Sequence, residues 1–303
     1  MNRRTFFKHG IGTSLALGTY FTHGAFSNGY ALPPLTYDLV AVKGGDPDVM
    51  FDKGIDALGG IGMFVRRGMS VVVKPNIGWD VGPERGGNTN PKLVGRIVEH
   101  CLHAGAKEVV VLDHSCDEAE RCYRNSGIER AVRDAGGTMA PAHSEGYYHD
   151  VVIPGGKSLT AAKEHEAILK ADAIINVPVL KCHSGTRLTI AMKNMMGNVW
   201  DRRFWHQNDL HQCIADFAGY RKPVLNVVDA YYVMKTNGPR GISTGDIVTM
   251  KAQLLSTDIV AVDTAAVRLF GMEPGEVRYL QLAAAAKIGR SDLDHLSIRR
   301  ITV

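Results

Sequence analysis

The chain has 303 residues, 45% of them apolar and 22% charged, enough to bury a substantial core in one large domain or two small ones. Its 35 Lys and Arg against 31 Asp and Glu leave a formal charge of +4, and no basic run interleaved with aromatics appears, which argues against a nucleic-acid partner. Five scattered cysteines, at 101, 116, 122, 182 and 213, form no C-x-x-C pair and no ferredoxin-type spacing, so an iron-sulfur cluster held by this chain alone is disfavoured. Cys116 and Cys122 could pair in an oxidising compartment, whereas Cys101 and Cys213 fall in half-apolar helical patterns and read as small buried hydrophobes.

At the N-terminus, Asn2-Arg3-Arg4-Thr5-Phe6-Phe7-Lys8 matches a twin-arginine export consensus and precedes an uncharged run from Ile11 to Phe21. That run is too short for a transmembrane helix, which needs about 20 apolar residues. Gly29-Tyr30-Ala31 ahead of Leu32 offers a small-residue cleavage site. The expectation is a signal peptide over 1–31 and a single α/β domain over 32–303. The mature protein would be periplasmic or otherwise exported, with the twin-arginine translocase as a transient partner and no stable membrane anchor. Because that route carries folded proteins, it also hints at a cofactor.

From Tyr37 onward, short β-branched runs alternate with helical periods. Leu39 to Val42, Val71 to Val73, Val109 to Leu112, Ile174 to Val177 and Val224 to Val228 read as strands buried on both faces. Amphipathic segments lie at Pro91 to Ala104, Gly127 to Ala135 and Glu164 to Lys170, with Pro91 suited to a first turn and Gly105 and Gly136 to helix ends. Ala-rich helical patterns follow over Asp258 to Gly271 and Glu276 to Ile288, while Asn198 to Asn208 is aperiodic and reads as a long loop. Strand and helix in alternation predict an α/β fold, a mostly parallel sheet flanked by helices.

Polar residues collect where those strands end: Lys74-Pro75-Asn76, Asp113-His114-Ser115, Lys181-Cys182-His183 and Asp229. In an open parallel sheet the carboxyl ends of the strands are where ligands bind. With Lys193 and Asn194, the predicted crevice is mostly cationic and donor-rich, and a carboxylate or phosphate is its natural guest. Taken singly, these residues have plainer readings too: Lys193-Asn194 as a solvated helix face, Asp113 and Asp229 as helix caps, His183 as a structural histidine, Lys74-Pro75-Asn76 as a turn. Metal-ligand types are plentiful at Asp113, His114, Cys116, His183, His206, His211 and Asp229. No H-E-x-x-H or comparable array unites them, so a divalent metal gathered from separate loops stays open. Gly44-Gly45 and Gly59-Gly60-Ile61-Gly62 lack both the P-loop Lys-Ser/Thr and the full dinucleotide fingerprint, and support no nucleotide cofactor.

Six ordered strings, Val73 to Asn76, Asn88 to Pro91, Asn176 to His183, Lys193 to Gly197, Asn237 to Gly241 and Ser256 to Asp263, resemble the family called domain of unknown function 362. The resemblance spans roughly Leu39 to Gly271. Many members carry a ferredoxin-like module with four-cysteine runs, which this chain lacks. Many also have an acidic residue near the position of Met234-Lys235-Thr236, which makes the crevice here more basic.

The resemblance weighs in favour of a site at Lys181, His183, Lys193 and Asn194, which lie in its strings. The expected function is acid/base chemistry on a small anionic compound, with His183 and Lys193 catalytic and Lys74, Asn76, Asp113, Lys181, Asn194 and Asp229 around the substrate. In that scheme His183 is a neutral base and Asp113 or Asp229 tunes its imidazole. A non-catalytic periplasmic ligand-binding or redox-maturation accessory protein, and a metal-dependent enzyme, are the alternatives.

Overall fold

The computed structural model describes residues 34–303; the twin-arginine segment and the expected cleavage site lie outside the described residues. The chain runs through β1 (Leu39–Lys43), α1 (Pro47–Ala57), β2 (Ser70–Pro75), α2 (Pro91–His103), β3 (Glu108–Val111), α3 (Ala119–Asn125), α4 (Ile128–Asp134) and β4 (Thr138–Met139). A separate antiparallel hairpin follows, β5 (Tyr148–Val152) and β6 (Ala161–His165), then α5 (Glu166–Lys170), β7 (Ala173–Val177), β8 (Val179–His183) and β9 (Arg187–Thr189). The last third holds α6 (Ala191–Asn194), α7 (Arg202–Gln207), α8 (Leu210–Tyr220), β10 (Leu225–Met234), β11 (Ile247–Ser256), α9 (Ile259–Phe270), α10 (Arg278–Ala285) and β12 (Ile298–Thr302).

The strands order as β12-β1-β11-β10-β7-β2-β3-β4, and β8 runs beside β10 and pairs with β9. Only β11 along that path is antiparallel to its neighbours, so the fold is α/β with a mostly parallel sheet. Side-chain alternation sends successive residues of the central strands to opposite faces of the sheet, with Val72 and Ile174 in a smaller third cluster with Leu112 and Ile168. Val40 and Val42 join the face covered by α1, α2 and α4, while Leu39 and Ala41 join the face covered by α6, α8, α9 and α10. Strands buried on both faces are why the sequence shows unbroken β-branched runs there rather than alternation.

The helix ends follow from their caps. Asn90 accepts the Lys92 N–H at 3.0 Å and Pro91 opens α2. Asp258 accepts the Val260 and Ala261 N–H groups at the start of α9, and Gly271, at φ +96°, ends it.

Three expectations need correction. Glu164 and His165 belong to β6, so the helix expected from Glu164 begins only at Glu166, where the His165 ring accepts the Ala167 N–H. The segment from Asn198 to Asn208 is not all loop, since Asp201 caps α7 through the Phe204 N–H and Trp205 is buried. Asp229 does not end a strand: β10 continues to Met234 through an irregularity after Ala230. Among the described residues no helix is long and apolar enough to cross a membrane.

Candidate functional site

The pocket lies beyond the carboxyl ends of β2, β3 and β7 and encloses about 420 Å³ including its mouth to solvent. Pro178 interrupts the run after β7, and the chain resumes as β8 alongside β10. Lys181 and His183 therefore sit on a strand, not on the strand-end loop their sequence position implies. Two residues apart on β8, they share a face. Thr189 of β9, directly opposite Lys181, lines the pocket with them.

Of the residues expected at the site, Asn76, Asp113, Lys181, His183, Lys193 and Asn194 line this pocket. Lys74 is fully buried one layer behind, its Nζ 2.7 Å from Asp113 Oδ1 and donating to Pro75 O and Asn194 Oδ1. Asp229 stands apart: it accepts the Asn90 N–H at 2.7 Å and the Tyr231 N–H at 2.9 Å, fastening the start of α2. Burial pushes its carboxyl up to about 6.

An amide relay holds the lysines in place. Strand register puts Lys74, Asn176 and Asn226 side by side on β2, β7 and β10. Asn176 donates to Asn226 Oδ1 at 3.0 Å and accepts from Asn194 Nδ2 at 2.8 Å. Asn194 Oδ1 accepts from Lys74 and from Asn76 Nδ2, and Asn76 Oδ1 accepts from Lys181 Nζ at 2.9 Å. Each amide has its orientation dictated by the next, so the network is satisfied and rigid. Asp263 on α9 completes the scaffold by accepting the Ala191 and Met192 N–H groups at the start of α6, the turn that carries Lys193 and Asn194.

Burial and mutual repulsion set the charges. Lys181 is pushed down to about 7 and Lys193 to about 8, desolvation being the main cause in both, with neighbouring cations adding to it. His183 is driven down to about 3 by burial and then by Lys193 and Lys181. Its Nδ1 accepts the Gly185 N–H at 3.0 Å, so the neutral ring carries its proton on Nε2. Neither Asp113 nor Asp229 hydrogen-bonds to this imidazole among the described contacts. The tuning contact expected from Asp113 or Asp229 is thus absent among the described contacts, while the ring is neutral as expected.

His114, expected at a strand end, lines the pocket too, as does Cys116, considered only as a metal-ligand type; sequence reasoning did not single out Arg202, Trp79, Gly197 or Pro239 as lining residues. Arg202, on α7, donates to the His114 and Ser115 carbonyls, each at 2.7 Å, and its Nη1 lies 3.3 Å from the Cys116 sulfur. Cys116 follows directly on the strand-end string Asp113-His114-Ser115, and Arg202 sits in the segment read as a long loop. Those were the available signals. Cys116 is exposed, Cys122 is buried, and both are free thiols, so the pairing considered for them is not formed. Among the described residues no three His, Cys, Asp or Glu side chains converge in a way that could hold a metal ion, which leaves the metal-dependent alternative without a ligand set here.

Residues 71–268 match the family described as Domain of unknown function (DUF362). The Thylakoid-associated protein sll1697 of Synechocystis sp. is 24% identical over 250 residues, covering 78% of this chain and 73% of that protein. Among solved structures, the lactate racemase apoprotein from Thermoanaerobacterium thermosaccharolyticum superposes with a TM-score of 0.45 at 10% identity, over 74% of this chain and 56% of that one. A protein from Thermotoga maritima gives a TM-score of 0.42 at 11% identity, over 80% of this chain and 60% of that one. The chain thus spans little more than half the length of either solved structure.

Proposed function

The chain belongs to the Domain of unknown function (DUF362) family, which carries no assigned activity, and from that premise we propose that its pocket binds a small carboxylate or phosphate compound and moves a proton on it. One observation carries this reading. Asp113 is the single carboxylate among the lining residues and is already matched by Lys74, which leaves Lys181, Lys193 and Arg202 facing the cavity without an anion. Cations crowded in a partly dry pocket repel one another, and a bound anion relieves that repulsion.

The geometry also divides the roles. Lys181 Nζ donates to Asn76 Oδ1 at 2.9 Å and to Gly87 O at 2.6 Å. As a neutral amine it would spend both hydrogens on those acceptors and keep its lone pair for the pocket. As an ammonium it would have a third proton to give. A group poised near 7 serves either purpose at neutral pH. The neutral His183 contributes an N–H toward developing negative charge, and Arg202, fixed by two carbonyls, contributes charge without moving.

Titration of the mature protein with phosphate, sulfate and short carboxylates tests the reading. Saturable binding that is lost in the Lys181→Met and Lys193→Met double variant is expected, whereas a wild type that binds none of these anions would refute it. Export by the twin-arginine route belongs to the same proposal, resting on Asn2 to Lys8 and on the run behind them. Retention of an Arg3→Lys, Arg4→Lys variant in the cytoplasm is its expected signature.

A further inference from the structure

The pocket lysines differ in what holds their nitrogens. Lys74 is tied to a carboxylate, a carbonyl and an amide oxygen, and Lys181 to an amide and a carbonyl oxygen. Lys193 is half-buried on the pocket wall, and its Nζ lies 3.1 Å from the thioether of Met196. A thioether is a weak acceptor and does little to favour an ammonium over a neutral amine. Among the described residues Lys193 is thus a lysine facing the cavity with no oxygen partner, beside fixed cations able to hold an anion. That is the environment in which a lysine becomes a nucleophile.

We infer that Lys193 forms an imine with a small carbonyl compound whose carboxylate or phosphate is held by Arg202, while the one free proton of Lys181 is kept for the carbonyl oxygen. This deepens the anion-binding reading above and rests on it. The Nζ lone pair attacks the carbonyl carbon while the carbonyl oxygen takes a proton from Lys181. The nitrogen then loses a proton, returned to Lys181, and the carbinolamine hydroxyl leaves as water on a second protonation. One carbonyl oxygen and two hydrogens depart as water, a C=N bond forms, and no oxidant or reductant is consumed. His183, with its proton on Nε2, donates to the oxygen during addition. The resulting iminium withdraws electrons from the adjacent carbon, which makes a proton there easier to remove by a neighbouring amine.

The test is reductive trapping. Mature protein is incubated with pyruvate, glyoxylate or dihydroxyacetone phosphate, reduced with borohydride and mapped by peptide mass spectrometry, with sulfate binding measured in parallel. The expected result is a reduced adduct on the peptide containing Lys193, absent from Lys193→Arg, which keeps the charge and loses the nucleophile. With its amine near 8 against 10.5 for an ordinary lysine, Lys193 at pH 8 should have a neutral fraction roughly a hundredfold above surface lysines and, since lower basicity also lowers nucleophilicity, a trapping rate about tenfold above theirs. An adduct on Lys181 instead, or labelling of Lys193 no faster than of surface lysines with all three carbonyl compounds, overturns the inference. If sulfate still binds in that case, only the covalent step falls; if sulfate does not bind, the anion-binding reading falls with it. Should the Arg variant fail to fold, the position of the adduct in the wild type decides by itself.

Discussion

Lys74 and Asp113 lie 2.7 Å apart with side chains 0% and 3% exposed, and Gly197 crosses them so closely that a Cβ there would overlap Asp113 Oδ1 and stand 2.7 Å from Lys74 Nζ. The glycine of the Lys193 to Gly197 string is therefore required by close approach to an ion pair, since its φ is not positive. Asp113→Asn leaves Lys74 buried without its counter-charge and is expected to cost about 3–5 kcal/mol in urea unfolding. Gly197→Ala should approach that loss by prising the pair apart. A change below about 1 kcal/mol in both would show that the pair relaxes freely.

The pH dependence of anion binding has a definite sign. Binding needs ammonium groups, and both pocket lysines have their pKa depressed, to about 7 for Lys181 and about 8 for Lys193. Affinity for sulfate, which keeps its charge across this range, should be greatest below pH 7 and fall as pH rises through 7 and 8. Each lysine contributes up to about tenfold per pH unit above its own pKa. His183, pushed down to about 3, is neutral throughout, so His183→Gln should leave the pH profile in place while weakening binding. Calorimetric titration at pH 6 and pH 9 settles it; equal affinities would mean that the lysines do not meet the anion.

The two-sided strands and capped helices were legible because they depend on local signals: β-branched runs, Pro91 after Asn90, Asp258 before an apolar period, glycines at helix ends. The polar character of the site was legible in part, because strand-end position brought Asn76 and Asp113 together, although Lys181 reaches the pocket from within β8. Depth was not. Nothing in Val73-Lys74-Pro75 distinguishes a lysine in the wall from one behind it, and only strand register shows Lys74 beside Asn176. Asp229 misled because an irregularity lets β10 continue beyond it, and a bulge leaves little trace in a hydrophobic pattern. Arg202 escaped notice because its role depends on the distant His114 and Ser115 carbonyls.

Asp263 supports the site without touching the pocket. Its two carboxylate oxygens accept the Ala191 and Met192 N–H groups at 2.7 and 3.1 Å, so α6 is oriented by a residue on α9. In Asp263→Asn one of these oxygens becomes an N–H₂ facing a donor, which strands a buried N–H and should cost about 1–3 kcal/mol of stability. Because Lys193 and Asn194 ride on this turn, sulfate affinity should fall as well. Lost stability with unchanged affinity would restrict Asp263 to the core.

The rim of the pocket offers a contrast between a buried carboxylate and an exposed ion pair. Asp246 gathers Thr236 Oγ1 at 2.8 Å, Asn237 Nδ2 at 2.6 Å, Ile242 N–H at 2.6 Å and Ser243 N–H at 2.9 Å, and these four donors hold its carboxyl well below the usual range. The loop so clasped carries Pro239, which lines the pocket, and Arg240, which reaches Asp117 at 3.4 Å. Arg240 is 58% exposed at its side chain, so Arg240→Ala should change stability by only about 0–1 kcal/mol. Asp246→Asn keeps the shape but sets an amide against several donors, and should free the loop. Amide hydrogen exchange is the measurement: the Ile242 and Ser243 N–H groups are expected to exchange at least about tenfold faster in Asp246→Asn and unchanged in Arg240→Ala. The reverse pattern would mean that the loop is held from across the pocket mouth and not from its own base.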